Sequence, residues 1–172
     1  MTWNIEGFKR NIFNLKELLN REAPQIIFLS ETQVYSSDVA NLMTYFQGEY
    51  CVHSNSEDCF NLDLPLLKSR ATGGTLTMWR KELDPFITVH PSPSSAILPL
   101  IFHPQGFAVS IHVNVYLPTQ GREAEFMEDM SKLSALIEEL VDKYTNAALY
   151  IRGDFNVNDN NLKRKQLFKY FL

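Results

Sequence analysis

At 172 residues, 45% hydrophobic and 21% charged, the chain can bury one sizeable core and has the make-up of an ordinary soluble domain. Its formal net charge of −4 excludes a generally basic nucleic-acid coat, but a carboxylate-rich metal site beside a local basic strip remains compatible with it. Two cysteines, Cys51 and Cys59, are too few and too irregularly placed for a disulfide framework or a zinc site, so a reduced compartment, nucleus or cytoplasm, is expected.

The opening segment, Met1 to Ile5, reads as the end of a strand stopped by Gly7. Phe8, Ile12, Leu15 and Leu19 then recur at helical spacing until Pro24 breaks the pattern. Ile26-Ile27-Phe28-Leu29 is a continuous apolar run expected to be a buried strand that delivers Ser30 and Glu31 at its end. Val39, Leu42, Met43 and Phe46 predict a short helix closed near Gly48, and Tyr50 to His53 a further strand. Residues 54 to 72 are polar and irregular, as in a surface loop.

Gly73-Gly74 leads into an alternating strand, Thr75 to Trp79, and Phe86 to His90 predicts another, followed by the turn-rich segment 91 to 95. Ala96 to Phe102 and Phe107 to Leu117 flank a predicted hairpin loop, His103-Pro104-Gln105-Gly106. The first of these two is the longest apolar stretch; it contains Pro99 and is too short to span a bilayer, and no signal peptide is apparent. The second alternates cleanly, with Val109, Ile111, Val113, Val115 and Leu117 on one face and Ser110, His112, Asn114 and Tyr116 on the other. Phe126, Met130, Leu133, Ile137, Leu140 and Tyr144 mark a long amphipathic helix. Many strands, several joined as hairpins, and few helices predict two packed sheets with helices outside.

The last strand, Leu149-Tyr150-Ile151, runs into Arg152-Gly153-Asp154-Phe155-Asn156. An acid and an amide two residues apart share one side of an extended backbone. The carboxylate can bind a metal or accept a proton, and the amide can donate to a phosphate oxygen; a plain turn built from Gly, Asp and Asn is the alternative. Glu31 at its strand end needs water, a cation or a hydrogen-bond partner; capping a turn is again the alternative. Asn4 stands in a similar position and could orient Glu31 or meet a hydrated metal. The Tyr116 hydroxyl could donate to a phosphate, or the ring could simply pack.

His53, His90, His103 and His112 lack ligand-like spacing and read as structural or exposed. Lys163, Arg164, Lys165 and Lys169 form either a phosphate-holding strip or the solvated face of a C-terminal helix, the second being preferred for charge runs generally. Oxygen-rich candidates without a Cys/His cluster point to Mg²⁺ or Mn²⁺ rather than Zn²⁺.

Five segments carry a resemblance: Thr2-Trp3-Asn4-Ile5-Glu6-Gly7, Leu29-Ser30-Glu31-Thr32, Gly73-Gly74-Thr75, Asn114-Val115-Tyr116-Leu117-Pro118 and Arg152-Gly153-Asp154-Phe155-Asn156. In this order the chain resembles the endonuclease/exonuclease/phosphatase superfamily, and within it the apurinic-endonuclease-like domains of non-LTR retrotransposons. The resemblance implies one α/β domain over 1–172, a four-layer sandwich of two mixed sheets flanked by helices. It implies that Glu31, helped by Asn4, holds the divalent metal, that Tyr116 and Asn156 contact the scissile phosphate, and that Asp154 orients or deprotonates the attacking water. DNA is the implied partner and backbone nicking the implied reaction.

Members normally go on to further strands and an Asp-His pair; no histidine follows His112 here. The resemblance therefore implies a domain truncated at its C-terminus and inactive by itself, with a second chain as one way to complete it. A phosphatase of the same fold, acting on nucleotides, inositol phosphates or lipid head groups, and a non-catalytic interaction module are the alternatives.

Overall fold

The structure, a computed structural model, describes residues 1–46, 48–56, 73–157 and 161–171. In chain order these form β1 (Thr2–Asn4), α1 (Phe8–Glu22), β2 (Ile26–Ser30), α2 (Ser36–Thr44), β3 (Tyr50–Asn55), β4 (Thr75–Arg80), β5 (Ile87–Val89), β6 (Ile97–Phe102), β7 (Ser110–Tyr116), α3 (Glu123–Lys143), β8 (Ala148–Asp154) and α4 (Leu162–Phe171). One sheet has the order β1-β2-β4-β3 and the other β5-β6-β7-β8. Each mixes parallel and antiparallel pairs: β1 with β2 and β7 with β8 are parallel, the rest antiparallel. The four-layer α/β sandwich expected from the sequence is what forms.

Each sheet buries one face against helices. Phe8, Ile12, Leu15 and Leu19 of α1 pack with Ile27, Leu29, Leu76 and Met78, as the helical spacing predicted. That helix ends at Ala23, whose N–H still donates to the Leu19 carbonyl while its left-handed backbone (φ 43°) turns the chain out of the helix; Pro24 then prevents continuation. On the other side α3 sets Leu133, Leu136 and Leu140 on Ile111, Val113 and Val115. The period-2 reading of β7 holds on both faces: Ile111, Val113, Val115 and Leu117 are fully buried, while His112 and Asn114 turn to the opposite sheet.

Three boundaries differ from expectation. Strand β7 begins at Ser110, opposite Phe102, so the connection before it runs over 103–109; Pro104 lacks a ladder donor, Gly106 is left-handed, and Phe107 is 80% exposed. A 3₁₀ turn over Lys81–Phe86 takes Phe86 out of the predicted strand, leaving β5 three residues long. Strand β3 continues to Asn55, because the β4 ladder pairs it with Thr75. The rest of the predicted loop, 57–72, and Cys59 within it lie outside the described residues. Among those described, no helix is long and apolar enough to cross a membrane.

Between the sheets the packing changes character along the strands. At one end Phe28 and Trp79 meet Leu98 and Leu100 in an apolar cluster. At the other, the contacts are hydrogen bonds. Buried Asn114 donates to Leu29 O at 3.0 Å and Leu76 O at 3.2 Å. Asn55 donates to Ser94 O at 3.1 Å and Ile97 O at 2.8 Å, and Thr75 Oγ1 donates to Ser95 O at 3.3 Å. The C-terminal ends of β1, β2, β7 and β8 converge at this polar end.

Candidate active site

The parallel register places Asn4 beside Ser30 and Tyr116 beside Asp154. Glu31 thus follows immediately where β2 ends. Asn4 Nδ2 donates to Asp154 Oδ2 at 2.9 Å, joining the two sheets. The backbone N–H of Asn156 donates to Asp154 Oδ1 at 2.9 Å, so both carboxylate oxygens are fixed by donors. Asn4 is therefore engaged with Asp154, where the sequence reading had offered Glu31 as its partner; its own Oδ1 accepts from Glu6 N at 3.2 Å. Glu31 Oε1 accepts from Gln33 Nε2 at 3.2 Å.

The backbone here is unusual. Among the described non-glycine residues six have positive φ, and four of them gather at this end: Glu6 (48°), Glu31 (54°), Gln33 (52°) and Asn156 (50°). Such conformations persist only where surroundings enforce them, and they concentrate at functional sites. The enforcing bonds are visible: Gly7 N donates to Glu31 O at 2.9 Å, Phe8 N to Thr32 O at 2.8 Å, and Gln33 N to Gly73 O at 2.9 Å. Gly153 is obligatory at φ 128°, since a Cβ there would lie 1.9 Å from Val115 O.

Asp154 and Asn156 line a groove of about 770 Å³ with Thr119, Phe155, Lys165 and Lys169. Asn156 Nδ2 donates one hydrogen to Leu117 O at 2.7 Å, leaving its second for the groove. Tyr116, although in register with Asp154, lines a separate recess of about 90 Å³ with Gly73, Gly74, Ser95 and Asp129. Burial pushes the Asp129 carboxyl above its usual range, against a hydrogen bond from Ser94 that lowers it.

The histidines stay outside this set. His112 stacks between Phe28 and Tyr150, His90 faces Glu139 at 3.4 Å, and His103 meets the Tyr144 ring.

The reading of the basic run as a solvated helix face needs a correction at one position. Lys163, Lys165 and Lys169 are exposed, whereas Arg164 is 1% exposed, one of the largest fully buried side chains described. Its guanidinium pairs bidentately with Glu123 at 2.9 and 3.0 Å. It also donates to Pro118 O at 2.7 Å, Thr119 O at 3.0 Å and Asn156 O at 3.1 Å, and it lies 4.0 Å over the Phe126 ring. One planar fork thus ties the segment after β7, the Asn156 loop and the start of α3 together. The sequence held a faint signal: Asn161 accepts from Arg164 N at 3.1 Å as a helix-start residue does, and Arg164 and Phe168, four apart, share one helix face.

No group of three His, Cys, Asp or Glu side chains able to hold a metal occurs among the described residues. The oxygen donors at these strand ends are instead Asp154, held by the Asn4 amide, and Glu31, which follows β2 and bonds to Gln33. An oxygen-only set with one or two carboxylates suits a magnesium ion that keeps several waters. The buried hydroxyls of Ser30 and Thr32, flanking Glu31, lack hydrogen-bond partners among the described residues, which leaves further oxygen ligands or water anchors at that strand end.

Residues 1–167 match the model of the Endonuclease/Exonuclease/phosphatase family, and the chain belongs to that family. Among solved structures it is similar to an AP endonuclease, LMAP, from Leishmania major, at 19% identity and TM-score 0.71 over 93% of this chain and 55% of that one. It is also similar to TDP2 from C. elegans, at 17% identity and TM-score 0.61 over 92% and 48%. A 3′ phosphatase, NExo, from Neisseria, solved with product DNA hairpin, aligns at 14% identity and TM-score 0.61 over 91% and 56%. The chain spans about half the length of these three structures. No curated protein sequence matches it.

Proposed function

We propose that this chain is part of a divalent-metal-dependent DNA endonuclease that hydrolyses backbone phosphodiesters, of the kind found in non-LTR retrotransposons. The observation that carries the reading is the Asn4–Asp154 hydrogen bond at 2.9 Å, which sets a carboxylate rigidly between the two sheets. Asp154, with both oxygens held, orients and deprotonates the attacking water. Asn156 and Tyr116 donate to the scissile phosphate. Lys165 and Lys169 attract the flanking phosphates into the groove. Glu31 and Asn4 are the residues that would hold Mg²⁺ (or Mn²⁺), which when bound supplies Lewis-acid polarisation of the phosphate.

Among the described residues no histidine stands at this site to serve leaving-group departure, so these 172 residues by themselves are expected to nick DNA weakly or not at all. The first test is therefore binding. Millimolar Mg²⁺ raises the melting temperature of the wild-type chain, and Glu31→Ala abolishes the rise without changing the metal-free melting point. Identical melting curves with and without Mg²⁺ and Mn²⁺ would argue for the non-catalytic module. Robust nicking of supercoiled plasmid by this chain, lost in Asp154→Ala, would confirm the chemistry and overturn the expected inactivity.

A further inference from the structure

The first sheet has a second concave feature, at the end away from Asn4 and Glu31. Tyr50 pairs with Arg80 there, whereas Ser30 and Asn55 both pair with Thr75 at the other end. Between the second half of α1 and the segment after α2 lies a recess of about 220 Å³, walled by Tyr45, Phe46 and Tyr50. Two of these walls are fixed. Phe46 meets the Phe8 ring edge-on at 6.1 Å. Tyr50 donates its hydroxyl to Pro24 O at 2.9 Å, and the Arg80 guanidinium lies 4.6 Å over its ring. Tyr45 is instead 54% exposed, with Lys16 Nζ 4.9 Å from its ring centroid. Lys16, Asn20 and Glu49 complete the lining. Among the described residues no carboxylate pairs with Lys16, and no hydrogen bond engages the exposed Asn20 amide. Glu49 Oε2 meets Arg80 at 3.3 Å, which leaves Oε1 to accept.

Each of these groups suits a different part of a ligand. An exposed aromatic face takes a flat ring. A lone ammonium takes an anion. An amide beside a carboxylate takes a ring edge that both donates and accepts. The space is smaller than the roughly 300 Å³ at which drug-sized pockets begin, so it fits a single heterocycle. We propose that this recess binds a nucleotide, with its base on Tyr45, the base edge on Asn20 and Glu49, and its phosphate on Lys16. Asparagine pairs bidentately with the N6/N7 edge of adenine, and Glu49 accepts the remaining N6 hydrogen, so adenine is the preferred base. A lipid head group or an acidic side chain would satisfy Lys16 but would leave Tyr45 and Asn20 unused. The same chemistry is offered by a free mononucleotide and by one residue of a nucleic-acid strand.

The test titrates the 172-residue chain with AMP, adenosine, ribose 5-phosphate and oligo-dA at up to millimolar concentration, read by the Tyr45 ring and Asn20 side-chain resonances. AMP shifts both and binds more tightly than adenosine or ribose 5-phosphate. Tyr45→Ala weakens AMP binding at least about fivefold, the low end for one base–aromatic stack. Lys16→Gln weakens AMP and leaves adenosine unchanged, a selectivity that a disturbed fold would not produce. Oligo-dA binding more tightly than AMP, and weakened by the same variants, identifies a nucleic-acid strand as the source; equal affinities identify the free nucleotide. No shift of either resonance overturns the proposal. Equal shifts by ribose 5-phosphate and AMP also overturn it, leaving a plain anion contact at Lys16. Shifts confined to Asn156 and its groove overturn it in favour of the strand-end site. None of these variants touches Glu31 or Asp154, so the nuclease reading stands or falls separately.

Discussion

The two ends of the inter-sheet layer are built from the same strands and do opposite work. At the Phe28–Trp79–Leu98–Leu100 end the sheets adhere through apolar area, which is non-directional and tolerates small shifts. At the Asn55–Thr75–Asn114 end they are pinned by hydrogen bonds whose geometry is directional. Asn114 even leaves its Oδ1 buried without a partner among the described residues, a cost that an apolar residue would avoid. The polar end gives up stability for placement, and the Asn4–Asp154 pair lies at this end. A site that acts on phosphate gains from such pre-organisation; a core that only holds layers together does not.

The harshest way to break the polar end is through its backbone. Gly153→Ala drives a Cβ to 1.9 Å from Val115 O at φ 128°. It should cost about 4 kcal/mol or more in urea denaturation, if the chain folds at all. A loss under about 1 kcal/mol would show that β7 and β8 separate easily, contrary to the rigidity argued for this end.

Arg164 sharpens the comparison because it supports the site loops without touching the apolar end. Arg164→Ala leaves three carbonyls and the half-exposed Glu123 carboxylate without their donor and should cost roughly 1–3 kcal/mol, the range for buried acceptors left unsatisfied. Arg164→Lys should recover only a fraction, since an ammonium cannot span the same acceptors. Hydrogen exchange locates the damage: amides of 117–119 and 153–157 open faster in Arg164→Ala, while those of β4 and β6 stay protected. Uniform loss of protection across both sheets would mean that the two ends unfold as one unit.

Sequence patterning made the architecture readable wherever one face of an element is apolar. The stripe Phe8–Ile12–Leu15–Leu19 and the alternation from Ile111 to Leu117 each named their buried face correctly. That Asn4 and Asp154 close their strands and that Glu31 follows directly on β2 was also legible, because polar residues closing extended runs stand out. Arg164 was not. A buried arginine in a basic run looks like its exposed neighbours until its acceptors, Glu123 and three carbonyls 8 to 46 residues away, are brought together. Asn114 was hidden for a related reason: its partners at Leu29 and Leu76 belong to the other sheet, and periodicity within one strand carries no information about them.

The smallest effect belongs to the residue between the two ends. His112 stacks on Phe28 at 6.0 Å and on Tyr150 at 5.0 Å, with Nδ1 buried and unpartnered and Nε2 at 2.9 Å from Ser110 Oγ. Burial first, then Arg152 and the amino terminus, push its pKa down to about 4. A depressed pKa means that the fold prefers the neutral ring, so the unfolded chain binds the extra proton first as pH falls below about 6.5. Stability is therefore level above that pH and declines as pH drops from about 6.5 through about 4. His53 is shifted in the same direction by burial, so the test must be differential. His112→Phe keeps the stack and removes the titration: wild type and variant should have parallel urea midpoints above pH 7 and diverge between pH 6.5 and 5, the variant losing less. Midpoints that stay parallel through that window would mean that water reaches Nδ1, and that the polar character of the layer extends further toward Phe28 than the hydrogen bonds indicate.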